Sequence, residues 1–303
     1  MNKSLSTSAI VIVGLARNCA KVIEREVRII NAAFAQARTL NWLVIESDSD
    51  DETLRALQSL SANTNFEFIT LGQLRTQFPK RTERIAVCRN RYLHELRTNK
   101  KYNCVDYVVV VDLDGVNTKL TAVAVNSCWK TPFAWDACFA NQSHVYYDMW
   151  ALRHELWCPS DCWQEYRFLL DCGINKLGAL YASVYCRMIR IDPDGDALEV
   201  ESAFGGLGIY KAHAILPAMY VGTYKNGDEL CEHVGLHKTM RDLGSKLYIV
   251  PSLLNGSQTE YLNNFRLGSH IRTRLHHLLI RVFTFFKRKT NLAVYCKSEE
   301  EVR

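Results

Sequence analysis

The chain has no apolar run near the roughly 20 residues that cross a bilayer. It has no internal repeat, no low-complexity tract and no obvious linker. A membrane-spanning helix is therefore not expected. Its start, MNKSLSTSAIVIVGLARN, is not patterned as a secretory signal, because the short apolar stretch is broken by Gly14 and followed by Arg17. The 11 cysteines are odd in number and scattered, without the regular spacing of a secreted disulfide scaffold. Reduced thiols and a cytoplasmic location are expected. Cys158, Cys162 and Cys172 could contribute to a zinc site, but their spacing matches no common zinc signature. The plainer reading is small, partly buried loop residues.

The chain also lacks a basic body. Arg272, Arg274, Arg281, Lys287, Arg288 and Lys289 all fall in 269–289, a stretch without acids, and they outnumber the whole net charge of +5. The rest is slightly acidic, so nucleic acid is not an expected partner.

What is present is an ordinary globular composition, 48% hydrophobic and 23% charged over 303 residues. The hydrophobic pattern alternates between strand and helix. AIVIVG, NWLVIE, FEFITL and DYVVVVDLDG read as strands. Residues 21–38, 51–60 and 81–98 read as helices between them. This predicts an α/β fold with a mostly parallel central sheet and helices on both faces. From 118 to about 200 the pattern loosens. SAFGGLGIYKAHAI then reads as glycine-rich strand, DELCEHVGLHKTMRDLG as helix, and KLYIVPSLLN as a last strand. One domain over 1–265 and a tail over 266–303 are expected.

Ligands on such sheets bind beyond the carboxyl ends of the strands. Three such ends are polar here: Arg17–Asn18, Glu46–Asp50 and Asp112–Asp114. In VVVVDLDG, Asp112 and Asp114 project to one side of an extended segment. Two chemistries use this pattern. In a phosphatase of the haloacid-dehalogenase type, the first Asp is a nucleophile. In a nucleotide-sugar transferase, the pair holds Mg2+ or Mn2+ on a diphosphate. The phosphatase reading also requires a later Lys and a Gly-Asp metal motif after an apolar strand. NGDELCEH has Gly227–Asp228 but no such strand before it. A third, plainer reading is a strand that merely ends in an acidic turn.

In order along the chain, LARN, ESDSDDET, RIAVCRNRYL, VVVVDLDG, YYDMWALR, FGGLGIYK and CEHVGLH resemble the GT-A-fold glycosyltransferases over residues 8–256. Within that fold the chain is similar to the cryptococcal capsule mannosyltransferase family and related capsule and lipopolysaccharide transferases. The resemblance implies a GT-A fold and a metal-dependent transfer of a sugar from a nucleotide donor to a glycan hydroxyl. It places Ala16, Arg17, Asn18, Glu46 and Asp48 at the nucleotide base and ribose. Arg84, Arg89, Asn90 and Leu113 would join them on the donor, the arginines pairing with diphosphate oxygens. Asp112 and Asp114 would hold the cation. His233 and His237 are neighbours on one helix face, and His237 is the expected further metal ligand. Glu232 is the expected catalytic acid or base.

Asp136, Asp148, Trp150 and Arg153 would face the acceptor, with Trp135 also available to stack on sugar. Gly205 and Gly206 would let backbone approach a ligand closely, or form a bulge or tight turn. An aromatic-rich core is the alternative for the Trp pair. In 269–289, Ile271, Leu275, Leu278, Val282 and Phe286 recur at helical spacing among basic residues. Such a helix lies on anionic lipid, which predicts a peripheral enzyme at the cytosolic membrane face. A helix packed on the catalytic domain is the other reading. A catalytically inactive domain that binds glycan or a partner remains the non-enzyme alternative.

Overall fold

The computed structural model describes residues 2–256. The expected tail, 266–303, and its basic stretch at 269–289 lie outside the described residues, as does the boundary at 265.

In chain order the strands are β1 (Ala9–Ala16), β2 (Thr39–Glu46), β3 (Phe66–Thr70), β4 (Tyr107–Asp112), β5 (Ala137–Gln142), β6 (Leu198–Glu199), β7 (Leu207–Lys211) and β8 (Leu247–Gly256). The helices are α1 (Ile23–Ala33), α2 (Thr53–Leu60), α3 (Arg81–Thr98), α4 (Ala122–Ser127), α5 (Cys162–Asp171), α6 (Lys176–Ser183), α7 (Ala212–Ile215) and α8 (Glu232–Asp242). The eight strands form one sheet in the order β3-β2-β1-β4-β7-β5-β8-β6. Only β7 and β6 run against the rest. The expected α/β class and its mostly parallel sheet are therefore what the chain adopts.

Strand alternation explains the two-sided core. Val11, Val13, Val108 and Val110 point to one face and pack with Tyr92 and Leu93 of α3 and Leu236 and Met240 of α8. Ile10, Ile12, Val109 and Val111 point to the other and pack with Ile23 and Ile30 of α1, Leu57 of α2 and Val125 of α4.

Register aligns the carboxyl ends of the central strands. Ala16 pairs with Glu46, and Leu15 pairs with Asp112. Because β7 runs antiparallel, its start beside Leu207 comes to the same sheet edge as Val111.

The loose region, 118–200, is more regular than its pattern suggested. It holds α4, α5, α6 and β5, and every residue of β5 is buried. A strand covered on both faces shows no polar alternation, so ACFANQ carried no signal. Just before it, Trp135 is fully buried and donates to the Cys128 carbonyl across 2.7 Å. That is a core role, not a sugar-stacking one. Cys158 and Cys162 are also buried, whereas Cys172 is exposed, and the ten described cysteines are free thiols. Among the described residues, no helix is long and apolar enough to cross a membrane.

Candidate active site

Beyond the carboxyl ends of β1, β2 and β4 lies a cavity of about 380 Å3. Its walls include Ala16 and Arg17 after β1, Asp48 after β2, and Asp112, Leu113 and Asp114 at the end of β4. The first turns of α3 add Arg81 and Arg84, and the start of α8 adds Glu232 and His233. Asp148, Trp150 and Phe204 close another side. The structure thus joins residues spread from 16 to 233 in one chamber.

Asp112 ends β4 because its amide still pairs with the Gly206 carbonyl at 2.9 Å, after which Gly115 turns the chain at φ 100°. Burial, and then the neighbouring Asp114 carboxylate, push the Asp112 carboxyl up to about 7, against the opposing Arg89 charge. Asp114 is exposed at the cavity wall. Among the described residues no group of three or more His, Cys, Asp and Glu side chains forms a metal cage. Two hard carboxylates nevertheless fit Mg2+ or Mn2+, which draw their other oxygens from water and phosphate. A divalent cation would also relieve the repulsion that raises Asp112.

Three arginines take different parts. Arg84 donates to the Phe78 and Pro79 carbonyls, each at 2.7 Å, and stands 3.9 Å from Asp48. Burial raises the Asp114 carboxyl above its ordinary range, and Arg81, exposed at the cavity, opposes that rise with its charge. Arg81 was missed in the sequence, although it lies three residues before Arg84 and so on the same helix face. Arg89, expected on the diphosphate, is instead 4% exposed and held by the protein. Its Nε donates to Glu232 at 2.9 Å, its Nη2 lies 3.4 Å from Asp112, and its guanidinium covers the Phe204 ring at 5.2 Å. Little of its fork is left for a ligand.

Several expected contacts turn out to be supports. Glu46 accepts from the Ser49 amide and the Thr70 hydroxyl, and is 2% exposed. Asp48 accepts from the Leu74 and Arg75 amides, both at 3.0 Å. Asn18 accepts from the Asp50 amide and so joins the loops after β1 and β2. These carboxylates and this amide build the cavity rim from within. Asn90 holds both backbone groups of Tyr220 at 2.9 Å and does not line the cavity. Arg153 clamps Asp161 at 3.1 Å, and Asp161 in turn accepts from the Trp150 indole. It positions Trp150 rather than facing the chamber.

Three expectations are corrected outright. Asp136 precedes β5, whose first residue pairs beside the end of β7, so it lies at the opposite sheet edge. There it binds Lys211 and the Lys246 amide. His237 is fully buried, with Nδ1 2.8 Å from the Ser202 hydroxyl and Nε2 2.9 Å from the Tyr210 hydroxyl. Both ring nitrogens are engaged, so neither is available to a cation. Gly205 and Gly206 adopt φ 68° and 87°, and a Cβ on Gly205 would meet the Ala140 carbonyl at 2.7 Å. Their freedom serves a tight turn against β5, not approach to a ligand. That turn lets the Gly205 amide donate to Asp148 at 3.0 Å, aiming this carboxylate into the chamber.

Comparison with family models finds no match, and neither does comparison with curated proteins. Solved structures are similar at a distance. A mannosyltransferase from Pyrobaculum calidifontis, in complex with GDP-Man and Mn2+, shares 13% identity over 83% of this chain and 57% of its own, with a TM-score of 0.48. S. aureus TarS (residues 1–349) shares 10% over 83% of this chain and 60% of its own, with a TM-score of 0.45. Glucosyl-3-phosphoglycerate synthase from Mycobacterium tuberculosis, in complex with Mn2+, UDP and phosphoglyceric acid, shares 15% over 83% and 68%, with a TM-score of 0.40. The chain spans less than two thirds of the length of the first two. Nothing about activity follows from likenesses this distant.

Proposed function

We propose that this chain is a metal-dependent glycosyltransferase of the GT-A type that moves a hexosyl group from a nucleotide-sugar donor to a glycan hydroxyl. The observation that carries this reading is the shared chamber of Asp112 and Asp114 with Arg17, Arg81 and Arg84. A carboxylate pair for a divalent cation and arginines within the same walls suit a diphosphate. Mn2+ or Mg2+ held by Asp112 and Asp114 would neutralise the charge of the departing nucleoside diphosphate. Arg17 and the backbone at Ala16 and Leu113 would hold the nucleotide. Glu232, Asp148 and Trp150 would surround the transferred sugar and the incoming hydroxyl. A capsule or lipopolysaccharide-type acceptor at the cytosolic membrane face, approached through the basic tail, is the setting we favour.

The phosphatase reading is less well supported. Among the described residues no lysine lines the chamber, and Asp228 of the Gly227–Asp228 pair binds Arg167 instead of lining it. The test is release of nucleoside diphosphate from a panel of UDP-, GDP- and dTDP-sugars with Mn2+. Turnover of one donor, lost in Asp112→Asn, supports the transferase. Hydrolysis of a simple phosphoester through a trapped aspartyl-phosphate supports the phosphatase.

A further inference from the structure

Among the described residues five carboxylates line the chamber: Asp48, Asp112, Asp114, Asp148 and Glu232. Four of them are already committed. Asp48 accepts two backbone amides on one oxygen, and Arg84 stands 3.9 Å from the other. Asp112 and Asp114 are the pair suited to a cation. Glu232, the expected acid or base, has Oε1 held by the buried Arg89 guanidinium at 2.9 Å. A proton on Glu232 would leave that guanidinium buried without its counter-charge, which is unfavourable.

Asp148 is the exception. Among the described residues no Lys, Arg or His forms an ion pair with it. It is half-buried, whereas Glu232 is 6% exposed. Its partners are two backbone amides: Gly205 donates to Oδ2 at 3.0 Å, and Ala151 reaches Oδ1 at a long 3.4 Å. The preceding amide, of Phe204, donates to the Tyr146 hydroxyl at 3.2 Å, so two consecutive amides of one turn pin Tyr146 and Asp148. A carboxylate has about four acceptor sites, so two remain open. The charge of Asp148 acts on Asp112, and that of Glu232 acts on Asp148, which sets this carboxylate among the other acids of the chamber. Burial raises its carboxyl above the ordinary range, against the two amides. A fixed carboxylate without a cationic partner suits the acceptance of a proton.

We propose that Asp148, rather than Glu232, is the general base that takes the proton of the incoming hydroxyl. This rests on the transferase reading of the same chamber. The hydroxyl oxygen bonds the anomeric carbon of the donor sugar, its O–H bond breaks, and the proton passes to Asp148. The bond from that carbon to the diphosphate oxygen breaks, and its electron pair leaves with the diphosphate. Glu232 keeps its bond to Arg89 throughout.

The experiment uses the whole chain with Mn2+ and the donor of the UDP-, GDP- and dTDP-sugar panel that it turns over fastest. Nucleoside-diphosphate release is followed with water as the nucleophile, and again with sodium azide, an anion that has no proton to give up. Donor affinity is measured by calorimetry. Asp148→Asn keeps an oxygen for the Gly205 amide and removes the base. Its release rate with water should fall about 10²- to 10⁴-fold. Its donor affinity should stay within about threefold of wild type, because the proton moves only in the transition state. Azide should restore most of the lost rate and yield the glycosyl azide. A release rate in Asp148→Asn within about threefold of wild type overturns the proposal. A loss that azide does not restore, or one matched by an equal weakening of donor binding, also overturns it. Each of these results leaves the transferase reading intact. No release from any donor by wild type overturns both. If Asp148→Asn does not fold, Asp148→Ser is judged by the same criteria.

Discussion

The Arg89 guanidinium and the Glu232 carboxylate meet at 2.9 Å although they are 143 residues apart, one on α3 and one opening α8. Both are buried, at 4% and 6% exposure. The same guanidinium reaches Asp112 at 3.4 Å. One buried cation therefore ties the end of β4 to the expected catalytic carboxylate.

Breaking this pair on one side leaves a buried charge uncompensated. Arg89→Met is expected to lose about 3–5 kcal/mol of stability. The double variant Arg89→Met with Glu232→Leu should lose clearly less than the sum of the single variants. Urea denaturation of the four proteins measures both values.

Arg81 should behave in the opposite way. It is exposed and lines the chamber, so Arg81→Ala should leave stability within about 0.5 kcal/mol. Its nucleoside-diphosphate affinity should fall roughly tenfold, through loss of a charge-assisted bond. Titration with UDP and GDP in Mn2+ at two salt concentrations checks this, with the smaller loss at higher salt.

Acid should unfold the chain partly through His237. Burial first, and then the charges of Arg89 and Arg241, push its imidazole down to about 3. The unfolded imidazole takes its proton near 6.5. The unfolded state therefore binds more protons between these values. The contribution is complete above about pH 6.5 and is lost as pH falls toward 3, by up to about 1.4 kcal/mol per pH unit. Replacing His237 with Gln should flatten that slope. Stability measured from pH 7 to 4 for both proteins gives the difference.

The turn at Gly205 should tolerate no side chain. Gly205→Ala combines a positive φ with a 2.7 Å approach to the Ala140 carbonyl and is expected to cost about 2 kcal/mol or more. Gly72 also has a positive φ, at 65°, but nothing lies within 4 Å of its added Cβ. Gly72→Ala should cost only about 1 kcal/mol. Thermal unfolding of the two variants separates the strain from the clash.

Much of the scaffold was legible because it is periodic. The first four strands and the helices between them follow from alternating apolar runs, and their parallel order brings Ala16, Glu46 and Asp112 to one edge. The role of each polar residue there was less legible. Asp48 and Arg17 are neighbours at the chamber, but only the fold reveals that the Asp48 carboxylate turns inward to the Leu74 and Arg75 amides. Asp136 reads like a site residue because it sits among aromatic residues, yet strand direction sends it to the far edge. His233 and His237 share one helix face, and one turn of helix separates a ring with no partner from a ring with two. Such distinctions depend on contacts across more than 25 residues of sequence, which periodicity does not encode.

The central claim is that Asp112 and Asp114 hold a divalent cation on a nucleoside diphosphate. Its most direct test is the melting temperature of the chain with UDP or GDP, in Mn2+ and in EDTA, for wild type, Asp112→Asn and Asp114→Asn. A ligand that binds only the folded state raises the melting temperature. The account predicts a rise for wild type that needs Mn2+ and disappears in both variants. A rise that persists in EDTA or in either variant, or no rise with either nucleotide, contradicts it.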